Sequence, residues 1–199
     1  MTSAVVSALG QLALALAYPA TILAAWFWDA PRLSGALLLA LLWLQRWLGH
    51  GVIARSLRQL TALDGCVALA LSACSITLML SGSELLLRLY PAFINLGLLV
   101  AFGATLFRGP PMIEKFARLG RPQLDARGMR HTLWVTRVWC VFFALNAVFS
   151  AYTALHWSRA AWSLYNGAIV YGLIGLLMLG EIVWRYLVVL PRAVRVESL

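Results

Sequence analysis

Gly109-Pro110-Pro111-Met112-Ile113-Glu114-Lys115-Phe116-Ala117-Arg118-Leu119 opens the only long polar segment of a 199-residue chain, with long apolar runs on both sides of it. The chain is 62% hydrophobic and 12% charged, against about half and about a quarter in soluble domains. Lipid is therefore the expected solvent for most of it. The formal net charge is +9, but the basic residues lie between apolar runs. Anionic lipid headgroups, not nucleic acid, are the expected counter-charge. Cys66, Cys74 and Cys140 fall inside apolar runs, where a thiol acts as a small hydrophobe. Their spacing implies neither a disulfide framework nor a metal site.

Outward from the quoted stretch, the apolar runs predict an all-α fold: a polytopic membrane helical bundle, one integral domain over residues 1–199. Six transmembrane helices are expected at about 4–28, 33–48, 65–83, 85–107, 134–157 and 160–187. The first run has no charge over 25 residues, more than the ~20 a helix needs to cross. No Lys or Arg precedes it, so it does not read as a signal peptide. Tyr18-Pro19 and Tyr90-Pro91 predict kinks, because proline removes a backbone donor. The second run is short, and Arg46 extends it by snorkelling to the headgroups. The interrupted segment from His50 to Asp64 is expected to lie flat on the membrane. Ala68 and Ser72, four apart, predict close helix packing and an interior place for the third span. Glu84 and Arg88 form an acid-first i, i+4 pair at the head of the fourth.

Six spans put both termini on one side. Arg46, Arg55, Arg58, Arg108, Lys115, Arg118, Arg121, Arg127, Arg130, Arg137, Arg185, Arg192 and Arg195 share that side, against Arg32, Arg88 and Arg159 on the other. By the positive-inside rule the termini are expected in the cytoplasm. The tryptophans agree, because Trp26, Trp28, Trp157 and Trp162 fall at outer ends and Trp43, Trp47, Trp134, Trp139 and Trp184 at or near inner ends, as an aromatic belt requires. Tyr-Pro-Ala occurs at 18–20 and 90–92, at the first and fourth spans. One tripeptide is better explained by coincidence than by an inverted repeat.

Polar residues inside spans are the candidate binding positions, since each costs free energy in lipid unless paired. Asn95 and Asn146 lie near the centres of their spans and either bind substrate or link two helices, the linking role being favoured. Asn166-Gly167 reads similarly, with Gly167 making room for a close helix contact. Arg88 either snorkels beside Glu84 or holds a phosphate or carboxylate headgroup. Glu181 with Arg185 repeats the acid-first spacing at the inner end. In the polar segment, Pro111 at the first helical position opens a short cytoplasmic interfacial helix between spans four and five. There Met112, Ile113, Phe116 and Leu119 form an apolar stripe, and Glu114 pairs with Arg118. Arg137 closes the same basic segment. His50, His131 and His156 have no metal-ligand spacing, and no nucleophile elbow, Walker loop or dinucleotide fingerprint is present. No catalytic residue, metal or cofactor is expected.

Arg88-Leu89-Tyr90-Pro91 with Asn95, Gly109 to Glu114 with Ala117-Arg118-Leu119, Val135 to Trp139 with Phe142-Phe143 and Asn146, and Trp162 with Tyr165-Asn166-Gly167 resemble an uncharacterised family of bacterial inner-membrane proteins. From Pro111 to about Gly175 the chain is also distantly similar to the intracellular septation protein A family. The resemblance implies a multi-pass inner-membrane protein linked to envelope biogenesis, often encoded beside fatty-acid or polyketide-type enzymes such as those making aryl polyene lipids. It carries over no catalytic role. In the septation family another polar residue commonly stands at the position of Glu114.

The leading expectation is a non-enzymatic inner-membrane accessory protein of cell-envelope or lipid/polyketide-pathway biogenesis. It docks anionic lipid, or membrane and cytoplasmic pathway proteins, through residues 108–131. The alternative is a small transporter or lipid flippase using Arg88, Asn95, Asn146 and Asn166. An enzyme acting on lipid-linked substrates ranks third, because no catalytic constellation supports it.

Overall fold

The computed structural model describes residues 17–24, 30–48, 61–120, 123–185 and 187, and among them all regular structure is helical. Helix α1 covers 17–24, α2 Pro31–Leu48, α3 Thr61–Ser81, α4 Glu84–Phe107, α5 Met112–Gly120, α6 Ala126–His156 and α7 Arg159–Trp184. One π-helical turn, Tyr165–Ile169, lies inside α7. Three helices, α4, α6 and α7, are long and apolar enough to cross a membrane, while α2 and α3 carry the shorter apolar stretches Pro31–Leu44 and Gly65–Ser81. The rest of the first expected span, the segment 49–60 expected to lie flat, and the tail beyond 187 fall outside the described residues.

Local chemistry sets the helix ends. Gly82 at φ +63° stops α3 at Ser81, two residues before the expected end. Ser83 then caps α4, its hydroxyl accepting from Leu86 N–H at 3.3 Å. Gly109, at φ +85°, turns the chain out of α4 ahead of the two prolines. Pro111 stands one position before α5, its carbonyl accepting Lys115 N–H at 3.1 Å. Asp125 caps α6 through Gly128 N–H at 2.9 Å, so the second half of the polar segment is helix. The 31 residues of α6 span ~46 Å at ~1.5 Å each, beyond the ~30 Å of hydrocarbon. Its basic first turns therefore project from the apolar zone.

The core sits at the end of the bundle that carries the two tight turns. Ile22, Leu38, Leu78, Leu87, Tyr90, Ala154 and Trp162 form one buried cluster, with Tyr18 packed against it. Every helix but α5 contributes. Trp162 departs from its expected place in an aromatic belt. It is wholly buried, because its indole N–H donates to Arg88 O at 2.9 Å and needs no water. Trp43, Trp134 and Trp184 remain exposed, as a belt requires. The expected interior place of α3 is also corrected. Ala68 and Ser72 do face inward, but Leu69 and Leu80 are 66% and 70% exposed, so the helix packs by one face.

That face meets α2 at Gly35. A Cβ there would stand 2.9 Å from Met79 N and 3.0 Å from Ser75 O, both backbone atoms that cannot swing away. Gly35→Ala is expected to push the helices apart and cost about 1–3 kcal/mol. Thermal unfolding in detergent should show it as a fall of several degrees, at ~2–4 °C per kcal/mol for a chain this size. An unchanged midpoint would mean that α2 and α3 do not meet at this residue.

Candidate functional site

All eight candidate positions lie in described residues. Arg88, Asn95, Asn146 and Asn166 come together in one seam between α4, α6 and α7. Glu114, Arg118 and Glu181 gather at the far end, and Arg137 stands exposed on α6.

The seam begins at the proline of α4. Pro91 offers no N–H, and Asn95 turns its side chain back along the helix, Nδ2 donating to Pro91 O at 2.8 Å. Asn95 Oδ1 accepts from Asn146 Nδ2 at 3.0 Å, and Asn146 Oδ1 accepts from the Tyr165 hydroxyl at 2.8 Å. One chain of bonds thus crosses three helices, with all three side chains buried. One turn along α6, Ser150 Oγ donates to Asn166 Oδ1 at 2.8 Å, while Asn166 Nδ2 donates to Thr153 Oγ1 at 3.2 Å and Trp162 O at 3.0 Å. The asparagines therefore link helices. The π turn places Tyr165 and Asn166 side by side toward α6. Gly167 makes the close helix contact expected of it. A Cβ there would lie 2.6 Å from Leu23 Cγ, and Ser163 Oγ donates to Ile22 O at 2.9 Å beside it.

Arg88 and Glu84 part company. Glu84 pairs across helices with Arg159, Oε2 to Nη2 at 2.9 Å and Oε1 to Nε at 3.0 Å. Arg88 Nη2 instead donates to the Thr153 and Trp157 carbonyls, the last of α6. Thr153 O already accepts Trp157 N–H at 3.1 Å, so the guanidinium shares that carbonyl, adds a donor to that of the cap residue Trp157, and meets the negative end of the helix dipole. An intrahelical pair was the expectation for Glu84 and Arg88. The tight α6–α7 turn overrides it by bringing Arg159 and the end of α6 within reach.

At the far end α5 lies across α4 and α6. Met112 N–H donates to Thr105 Oγ1 at 2.9 Å and Ile113 N–H to Thr136 Oγ1 at 3.3 Å. Each hydroxyl gives its own proton to its parent helix, Thr105 to Phe102 O at 2.7 Å and Thr136 to Thr132 O at 2.8 Å. Two donors at the start of α5 are thus capped by two other helices. Arg118 holds Glu114, Nη2 to Oε1 at 2.6 Å, as the sequence spacing predicts. Only part of the expected apolar stripe packs on the protein. Met112 is buried, but so are Glu114 and Lys115, at 6% and 9% exposure, while Ile113 and Phe116 stay half-exposed. The two threonine caps fix the rotation of α5, and they turn its charged side in. Glu181 reaches across to His131, Oε1 to Nε2 at 3.2 Å, and ties α7 to α6.

Sequence reasoning missed Tyr165, Ser150, Thr153 and His131. Ser150 and Thr153 had a signal, because they follow Asn146 at i+4 and i+7 and so share its face of α6. Thr105 and Thr136 had none, since an interior threonine looks the same whether or not a third helix lands on it. Among the described residues no three His, Cys, Asp or Glu side chains gather to hold a metal ion. The seam sets no acid or base beside a nucleophile, and Ser150 faces only an amide oxygen. The polar side chains of the seam link helices, and Arg108, Arg127, Arg130 and Arg137 are exposed at the far end. Comparison of the chain with known protein families, curated proteins and solved structures gives no match.

Proposed function

We propose that the chain is a bacterial inner-membrane accessory protein of cell-envelope or lipid/polyketide-pathway biogenesis, with no enzymatic activity of its own. In this reading it crosses the membrane six times with both termini in the cytoplasm, and α5 is an interfacial helix on the cytoplasmic leaflet. The basic segment then docks anionic lipid or a pathway protein. The observation that carries the proposal is the build of the α5 end. Arg108, Arg118, Arg127, Arg130 and Arg137 are all exposed there, on helices fixed to one another by the threonine caps. Among the described residues, Glu114 is engaged by Arg118, Asp125 by the start of α6 and Glu181 by His131. A rigid surface of arginines suits phosphate and carboxylate partners.

The second reading, a small transporter or lipid flippase, is supported by the convergence of Arg88, Asn95, Asn146 and Asn166 within the bundle. The two readings make different demands on residues. In a strain lacking the gene, Arg130→Gln with Arg137→Gln is expected to leave the unfolding midpoint within about 1 °C of wild type, because both side chains are exposed. Survival under envelope stress should nevertheless fall at least tenfold relative to wild-type complementation. Full complementation by this double variant would remove the docking surface from the proposal.

A further inference from the structure

Helices α3 and α4 line an apolar groove of about 480 Å³. They are pinned at the Gly82-Ser83 turn, at Ser75, whose Oγ donates to the Tyr90 hydroxyl at 3.0 Å, and at Gly97, where a Cβ would lie 2.8 Å from Val67 Cγ1. The groove runs from Thr77 and Leu86 down to Val67 and Val100, with Cys74 along its wall. From Leu86 to Val100 that is roughly 21 Å at ~1.5 Å per residue. Nothing in its lining invites a polar ligand, since Thr77 spends its hydroxyl on Ala73 O at 2.8 Å and the remaining atoms are hydrocarbon or a thiol.

The lining suits a hydrocarbon chain, which can lie along the groove in contact with its apolar side chains at ~4 Å. The end at Thr77 and Leu86 also carries a charge. Arg32 lies over the Gly82 turn, about one helical turn beyond the groove, with Nε 3.1 Å and Cγ 3.3 Å from where a Gly82 Cβ would be. No ion pair holds Arg32 among the described residues. We propose that this groove binds one acyl chain of an anionic phospholipid, with the lipid phosphate against the Arg32 guanidinium. The site is separate from the basic surface at α5 and stands whether or not that surface docks a partner.

The test uses the full chain in mixed-lipid nanodiscs with a phosphatidylglycerol that carries a photoreactive diazirine halfway along one acyl chain. Adducts are expected to concentrate on residues 67–77 and 86–100, and unlabelled phosphatidylglycerol should compete at least five times better than phosphatidylcholine. Val100→Trp, which fills the lower groove, should remove most adducts. Arg32→Gln should keep them but make the two lipids compete equally. Labelling spread evenly over the exposed face of α6 at Val141, Leu145 and Val148 would show annular lipid only and overturn the proposal. Equal competition in the wild-type protein would remove Arg32 from it. Protection of the groove that grows with protein concentration would assign it to a second copy of the chain.

Discussion

Trp162→Ala is expected to destabilise the bundle by about 3–5 kcal/mol, the range for emptying a fully buried tryptophan site. Among the described residues the indole is the largest wholly buried side chain, and it belongs to the cluster that joins α1, α2, α3, α4, α6 and α7. Its loss opens a cavity at that junction and removes the donor to Arg88 O. That carbonyl lies one turn before Pro91, where the ladder of α4 is already broken. At ~2–4 °C per kcal/mol, the midpoint followed by helical circular dichroism in detergent should drop by about 6 °C or more. Trp162→Phe keeps much of the ring packing but loses the bond and part of the buried volume, so it should recover part of the drop. A midpoint for the alanine variant within about 2 °C of wild type would contradict the packing described here.

Asn146→Leu has the second largest expected effect. It removes two bonds at once and strands the Tyr165 hydroxyl and one acceptor of Asn95 between apolar helices. Each stranded buried group costs about 1–3 kcal/mol, although membrane bundles average only ~0.6 kcal/mol per interhelical bond, because the separated helices also find partners. A net loss of about 2–3 kcal/mol is expected. Pairing it with Asn95→Leu in a double-mutant cycle should return a coupling of ~0.5–1.7 kcal/mol, and additivity would show that the two amides do not bond. The same variant weighs the transporter reading. If Asn146→Leu unfolds at the wild-type temperature yet abolishes complementation, the seam binds a ligand rather than helices.

Much of the fold can be read from residue types alone. Long uncharged runs give α4, α7 and most of α6, and the i, i+4 spacing of Glu114 and Arg118 gives their pair, whereas the caps Ser83, Asp125 and Ser158 come to light only in the structure. What the sequence hides is the choice among partners that geometry makes available. Glu84 has Arg88 four residues away, yet takes Arg159 from another helix. Trp162 satisfies a belt pattern by position, but an acceptor inside the protein draws it in. The charged side of α5 turns inward because two threonines 31 residues apart hold its first turn, and hydrophobic periodicity does not register such caps. The candidate asparagines were legible because a polar group in an apolar run has few uses. Their partners Tyr165, Ser150 and Thr153 were not, because hydroxyls are common in spans and bond to their own helices as readily as to others.

The double threonine cap also dictates an order of assembly. Thr105 precedes α5 in the chain, but Thr136 follows Met112 by 24 residues, so at ~5–20 residues per second α5 leaves the ribosome roughly 1–5 s before its second anchor exists. During that interval Ile113 has no neighbouring hydroxyl to hold it, and α5 is tethered through α4 alone. Its final seating is therefore an event that follows insertion of α6. The exposed arginines from Arg108 to Arg137 therefore take up their fixed spacing only once α6 is in place.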